Sequence, residues 1–209
     1  LYGECESLRV QASSADVRAA IESSLQTWSD VACSAFTFLD GGDSNANRIG
    51  PLLVTVLDAE GSASTQFGGE NLIIMETGRW AHAGGIMALT SPTFDPSTGQ
   101  MVDADMELNG AVSQYVWSTA AGGFPDRVDV ANVVTHESGH MLGLDHPPCY
   151  DPTQGEACAE TTMYWSSFPG ELIKRDLTPD DEAAICAAYP EPAPQHDDGC
   201  GAAQGAGWP

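Results

Sequence analysis

Basic residues are scarce in this chain: it has 7 lysines and arginines against 30 acidic residues, which gives a formal net charge of −23. A protein that binds nucleic acid needs a basic surface, so the composition excludes that class of function. The sequence also lacks an apolar run as long as a transmembrane helix, so no membrane span is expected. No two cysteines form a CxxC pair, which argues against a metal site built from cysteines.

The cysteines that are present indicate disulfides. An even number of cysteines in an acidic chain predicts an oxidising compartment, and therefore a secreted, extracellular or cell-surface protein. No charged-then-apolar leader follows Leu1, so no signal peptide is expected within this chain. A local Cys149–Cys158 bridge and a Cys158–Cys186 bridge remain open as alternatives. The six cysteines are Cys5, Cys33, Cys149, Cys158, Cys186 and Cys200.

The most informative stretch spells HExxHxxGxxH and contains three of the chain's five histidines. On a helix, His136 and His140 lie on one face and can offer two imidazoles to the same point. Gly143 permits the turn that brings His146 back as a third ligand. Three neutral imidazoles with an open fourth position predict a catalytic zinc site, with Glu137 as the general base toward a zinc-bound water. The alternative is an amphipathic helix whose histidines only pack or meet solvent.

This extended motif resembles that of the metzincin metallopeptidases. Metzincins also carry a methionine turn beneath the zinc, and Met163 matches that methionine. The resemblance implies a secreted zinc endopeptidase of the matrixin-like (matrix metalloproteinase) type, expected from a bacterium. The alternative is a catalytically silent or latent binding or surface protein on the same scaffold. The implied partner is a protein or peptide substrate, and the implied assembly is a monomer.

The same resemblance implies an α+β fold of the α/β metzincin type. It consists of a twisted, mostly parallel five-stranded sheet with two long helices, a zinc cleft, the methionine turn and a C-terminal helix. Residues 1–190 would form the catalytic domain and residues 191–209 a Pro/Gly-rich tail. Hydrophobic periodicity and capping residues predict helices over 14–31, from Asp129 and over 178–189, and strands over 35–39, 52–57, 71–76 and 101–109. The resemblance implies a further strand over 84–90.

The resemblance also assigns a substrate-binding strand. Residues 84–90 match the edge strand above the zinc in matrixins, so Met87 and Ala88 would pair their backbone groups with an extended peptide. The histidines that hold a structural zinc in vertebrate relatives fall on Leu89 and Asp105, so no structural zinc is expected. His82 is read as an isolated histidine.

Two further features bear on metals and subgroup. The acidic, glycine-containing stretch 40–47 and the acids of 103–107 are candidate calcium ligands, although a solvated turn and ordinary strand alternation also explain them. Serralysins and astacins place a zinc-reaching tyrosine two positions after the methionine, where this chain has Trp165. Tyr164 is one position too early, which favours the matrixin-like subgroup.

Overall fold

The computed structural model describes most of the chain. Its helices are α1 (Ser14–Ser29), α2 (Val130–Met141), α3 (Glu156–Ala159) and α4 (Pro179–Ala188), with a 3-10 helix at Ile173–Arg175. Its strands are β1 (Leu52–Leu57), β2 (Ala63–Gly68), β3 (Ile73–Glu76), β4 (Ala88–Phe94), β5 (Met101–Asn109), β6 (Trp117–Ser118) and β7 (Val128–Asp129). The described residues are 13–46, 49–57, 63–68, 70–111, 115–148 and 156–191.

The architecture is α+β, as predicted, but the strands are grouped differently. The main sheet has the order β3-β5-β4, with β3 parallel and β4 antiparallel to β5. Strands β1 and β2 form a separate antiparallel pair, and β6 and β7 a short parallel pair. The expected five-stranded, mostly parallel sheet is therefore not found within the described part of the chain.

The predicted strand over 35–39 forms no ladder. Its alternation is real, since Phe36 and Phe38 are half-buried while their neighbours are exposed. The Ala35 amide donates to the Tyr189 carbonyl, and the Phe36 and Tyr189 rings pack with centroids 5.0 Å apart. A period of two reports which side chains face inward. It does not report whether a second strand lies alongside, which is why the prediction was wrong here.

Helix α1 begins at Ser14, as predicted, but its cap is Ser13, a residue that the sequence did not single out. The Ser13 hydroxyl accepts from the Asp16 amide at 3.2 Å, which satisfies one of the free N–H groups of the first turn. The helix buries Val17, Ile21 and Trp28 against the core. Because the Trp28 indole donates to the Thr135 carbonyl at 2.8 Å, α1 is tied directly to α2.

The start of helix α2 is held by a partly buried ion pair. Asp129 caps the helix, as predicted, by accepting from the Asn132 amide at 2.8 Å. The Arg175 guanidinium meets the same carboxylate with two bonds, Nε to Oδ1 at 2.8 Å and Nη2 to Oδ2 at 2.5 Å. A bidentate contact of this kind fixes the relative orientation of the guanidinium and the carboxylate and also stabilises the pair, so the first turn of α2 is held rigidly.

Disulfides connect distant parts of the chain. Cys33, just after α1, is bonded to Cys186 in α4. This pairing shows that the Cys158–Cys186 alternative was wrong. Cys158 is also disulfide-bonded. The Cys149–Cys158 bridge stays a prediction, because Cys149 lies outside the described residues.

The domain boundary also stays a prediction, since residues 192–209 lie outside the described part of the chain. Among the residues that are described, no helix combines the length and the apolar character needed to cross a bilayer.

Candidate metal centre and cleft

The three motif histidines converge on one point. The Nε2 atoms of His140 and His146 lie 3.1 Å apart, and those of His146 and His136 lie 3.3 Å apart. In a tetrahedral site with zinc–nitrogen bonds of about 2.0–2.1 Å, two ligand nitrogens are separated by roughly 3.3 Å. Within the described residues, no other group of three or more His, Cys, Asp or Glu side chains converges in this way.

The partners of two of these rings fix which nitrogen is available. Nδ1 of His136 lies 2.6 Å from the Thr162 carbonyl, and Nδ1 of His140 lies 2.7 Å from the Leu144 carbonyl. A carbonyl only accepts, so each Nδ1 carries the proton and each Nε2 presents a lone pair. Lone pairs facing one another at this distance repel unless a cation lies between them. The donor set therefore fits a zinc ion.

Burial keeps these imidazoles in the form that binds metal. Removal from water lowers the pKa of His136 well below its ordinary value, and the nearby Lys174 cation lowers it further. Burial also lowers the pKa of His146, followed by the effect of His140, while the Asp145 carboxylate opposes the shift. Neutral histidines can ligate a metal without first losing a proton, so the site is prepared for a cation at neutral pH.

Local structure places each ligand. His136 and His140 lie one helical turn apart on α2. The helix ends at Met141, and Gly143 has a φ of +83°, a left-handed conformation that favours glycine. The Leu144 amide returns to the Gly139 carbonyl at 3.0 Å. The predicted turn is thus present and carries His146 back to the helix face.

Glu137 lies on α2 beside the three histidines and is only 7% exposed. Burial raises the pKa of its carboxyl, and a hydrogen bond from Thr90 partly offsets this rise. The Thr90 hydroxyl donates to Oε2 of Glu137 at 2.7 Å. Sequence reasoning missed Thr90, whose only signal was its position on the strand expected above the site.

Met163 packs directly beneath α2. It is 4% exposed, and a Cβ built on Gly139 would lie 2.2 Å from its sulfur. The preceding Thr162 supplies the carbonyl that orients His136. The amides of Thr162 and Met163 both donate to the carboxylate of Asp181 in α4, at 2.9 and 3.1 Å. This turn therefore connects α4 to the histidine cluster, a role for Asp181 that the sequence did not suggest.

A cleft of about 1560 Å³ opens at this cluster. Strand β4, the three histidines and Glu137 line it. Trp165, Ser166 and Ser167, from the segment that follows Met163, line it as well. The arrangement joins a candidate metal centre, a buried carboxylate and an open cleft.

Comparison with known proteins agrees with this geometry. The family model described as Matrixin matches residues 5–189. The chain belongs to the matrixin family. It is 29% identical over 105 residues to Metalloendoproteinase 1-MMP of Arabidopsis thaliana, an alignment covering 50% of this chain and 25% of that protein. It is 32% identical over 108 residues to Metalloendoproteinase 2-MMP of the same plant, covering 50% of this chain and 24% of that protein.

Membership of the matrixin family confirms the predicted resemblance and implies a catalytic zinc. The chain spans about a quarter of the length of the curated relatives it matches. Both relatives are plant proteins, and the expected bacterial origin remains a prediction.

The edge strand of this matrixin begins later than predicted, at Ala88 instead of residue 84, and ends at Phe94 instead of residue 90. Strand β4 has only β5 as a neighbour among the described residues. The Met87 carbonyl accepts from the Asn109 amide at 2.8 Å, so it is used inside the sheet. Because backbone groups alternate along an antiparallel pair, Ala88 and Thr90 direct theirs toward the open edge. Ala88 therefore stays a candidate for peptide pairing, while the Met87 carbonyl does not.

The candidate calcium stretch over 40–47 is arranged around a cation of the protein itself. The carboxylate of Asp43 contacts the Arg18 guanidinium, and that of Asp40 lies 3.6 Å from it. The Asp40 carboxylate also accepts from the Gly42 amide at 2.7 Å. These contacts give calcium no support here.

The acids of β5 are mostly occupied as well. Asp105 accepts from the amides of Gly50 and Leu72 at 2.6 and 2.8 Å. Glu107 lies 3.0 Å from Nε2 of His82, so this histidine is not isolated as the sequence suggested. Oδ2 of Asp103 is buried and has no hydrogen-bond partner among the described residues, and burial raises the pKa of that carboxyl.

Proposed function

We propose that this chain is the catalytic part of a secreted zinc endopeptidase. The observation that carries the proposal is the convergence of three Nε2 atoms, 3.1 and 3.3 Å apart, beside a buried glutamate that lines an open cleft. Membership of the matrixin family and two relatives named metalloendoproteinases support it.

In this proposal His136, His140 and His146 hold the metal. Zinc bound there would act as a Lewis acid and bring the pKa of a coordinated water down to roughly 7. The protein's own contribution is the preparation of the ligands. The carbonyls of Thr162 and Leu144 keep protons on the Nδ1 atoms, so that the Nε2 lone pairs stay directed at one point.

Glu137 moves the proton. Its carboxylate lies beside the metal position and takes a proton from the attacking water, then returns it to the leaving amine. Burial, which raises the carboxyl pKa, makes Glu137 a stronger base than an exposed glutamate. The Thr90 hydroxyl donates a hydrogen bond to Oε2, so Oε1 is the carboxylate oxygen left to act on the reacting groups.

The substrate is an extended peptide that adds a strand to β4. Ala88 and Thr90 direct backbone N–H and C=O groups to the open edge, where a chain of any sequence can pair with them. Trp165, Ser166 and Ser167 then bound the side chain that follows the scissile bond. Secretion is supported by the Cys33–Cys186 disulfide, which persists in oxidising compartments. We expect a monomer.

The deciding experiment is cleavage of a quenched fluorescent peptide library by the purified chain. We expect turnover that a zinc chelator reduces to about a thousandth or less, and that stoichiometric zinc restores, because an active site of this kind loses its water activation with the metal. Turnover that survives full removal of zinc would contradict the proposal. Stoichiometric zinc without turnover would instead favour the latent or silent binding protein.

Replacement of Thr90 by valine tests the support of Glu137. Valine has nearly the same shape but cannot donate to Oε2, so we expect kcat/KM to fall by about tenfold or more, the cost of one hydrogen bond to a charged group. Thr90→Ser keeps the hydroxyl and is the matched control, expected to remain close to wild type. Equal rates for Thr90→Val and wild type would show that Thr90 does not position Glu137.

A further inference from the structure

The chain contains a single lysine, and that lysine is buried. Lys174 lies in the 3-10 helix Ile173–Arg175 and is 1% exposed. Lysine is almost never fully buried without partners, because its ammonium loses its hydration. Here burial lowers the pKa of Lys174 to about 8, although the carboxylates of Glu171, Glu137 and Asp181 oppose the shift. The burial of this cation therefore indicates that Lys174 has a structural role.

The ammonium binds the segment that forms the cleft wall. Its Nζ donates to the carbonyl of Tyr164 and, at 2.9 Å, to that of Ser166. These two carbonyls flank Trp165, which lines the cleft and is 49% exposed. Because both carbonyls accept from Lys174, the peptide planes between residues 164 and 165 and between residues 166 and 167 are held in place.

The same lysine is attached to helix α2. Its backbone amide donates to Oδ1 of Asn132 at 2.8 Å, and Nδ2 of Asn132 donates to Glu171 at 3.2 Å. Glu171 lies 4.0 Å from the ammonium and supplies a counter-charge. Lys174 and Asn132 thus connect the wall segment to α2, the helix that carries His136 and Glu137.

We propose that Lys174 is a positioning residue of the cleft. By holding the carbonyls of Tyr164 and Ser166, it fixes the wall at Trp165–Ser167 and limits the size of the substrate side chain admitted beside it. This inference rests on the proposed peptidase function. The substrate residue concerned is the one after the scissile bond. If the wall were loosened, the cleft would discriminate less between small and large side chains of that residue.

Removal of the ammonium would take a donor away from both carbonyls, and a carbonyl shielded from water without a donor costs free energy. A methionine at position 174 has a similar length and volume but cannot donate. Loss of the ammonium would therefore release the two peptide planes without opening a large cavity.

The test compares Lys174→Met with Arg79→Met, which removes one positive charge from an exposed position outside the cleft. Each protein is given two peptides that differ only in alanine or phenylalanine after the scissile bond. We expect the ratio of kcat/KM for the two peptides to change by about tenfold in Lys174→Met, since a pocket discriminates side-chain size by about 10–200-fold. The change should appear in KM for the alanine peptide more than in kcat. Arg79→Met should keep the wild-type ratio.

A second readout does not need activity. Amide hydrogen exchange at residues 165–167 should become about tenfold faster in Lys174→Met, because these amides would open locally, and should not change in Arg79→Met. An unchanged peptide ratio together with unchanged exchange would overturn the role of Lys174. Should Lys174→Met fail to fold, Lys174→Gln keeps N–H donors on a shorter, uncharged side chain and should give intermediate exchange. A wild-type chain that binds zinc but cleaves no peptide would contradict the peptidase proposal instead, and exchange alone would then decide the role of Lys174.

Discussion

Replacing Glu137 by glutamine should lower kcat/KM for peptide cleavage by about 10²–10⁴-fold, the range lost with a general base. Glutamine has the shape of glutamate and can still accept from the Thr90 hydroxyl, which lies 2.7 Å from Oε2. It cannot take a proton at neutral pH. The expected loss should therefore appear in kcat, while KM for an extended peptide stays within a few-fold of wild type.

Zinc content and thermal stability are the controls for this variant. Both should match wild type, because the three Nε2 atoms and their backbone partners are untouched. A Glu137→Gln variant that binds zinc and retains a tenth or more of wild-type kcat would exclude Glu137 as the base. A parallel His140→Ala variant should instead lose zinc, which separates the role of a ligand from that of a base.

Gly139→Ala should be strongly destabilising, although alanine is the better helix former. A Cβ at this position would lie 2.2 Å from the Met163 sulfur and 3.0 Å from Cζ2 of Trp28. Both neighbours are buried in the core around α2. We expect a loss of about 1–3 kcal/mol in the free energy of unfolding, the usual cost of overpacking, measured by denaturant titration. Zinc affinity should fall as well, because α2 would be pushed away from Thr162.

A double-mutant cycle identifies the cause. Met163→Ala alone should cost about 2–5 kcal/mol because it leaves a cavity. In the presence of Met163→Ala the alanine at position 139 has room, so the double variant should be more stable than the sum of the single effects predicts, by about 1–3 kcal/mol. Gly78→Ala is the control, since no atom lies within 4 Å of a Cβ there. Strict additivity would show that the two residues do not compete for space.

The sequence predicted the histidine cluster because its geometry is local. One helix turn relates His136 to His140, and one glycine turn returns His146, so eleven residues contain the whole arrangement. The predicted cap at Asp129 is local for the same reason. Such features depend on backbone geometry over a few residues and do not depend on how the rest of the chain folds.

Contacts across the fold could not be predicted in that way. Thr90 and Glu137 are 47 positions apart, and Met163 and Asp181 are 18 apart. Such long-range contacts depend on strand register and on helix packing, and hydrophobic periodicity specifies neither of them. The Met87 carbonyl is an example, because it accepts from the Asn109 amide inside the sheet although the prediction placed it at the open edge.

The Cys33–Cys186 disulfide has a consequence for the protein's own survival. The two cysteines are 153 positions apart and enclose the histidines, Glu137, the cleft wall and Met163. A peptidase at high concentration meets its own surface loops as substrates. A single cut anywhere between the two cysteines would leave both pieces covalently joined and packed on the same core. We therefore expect nicked molecules to migrate as one species until the disulfide is reduced, and to keep their metal centre intact.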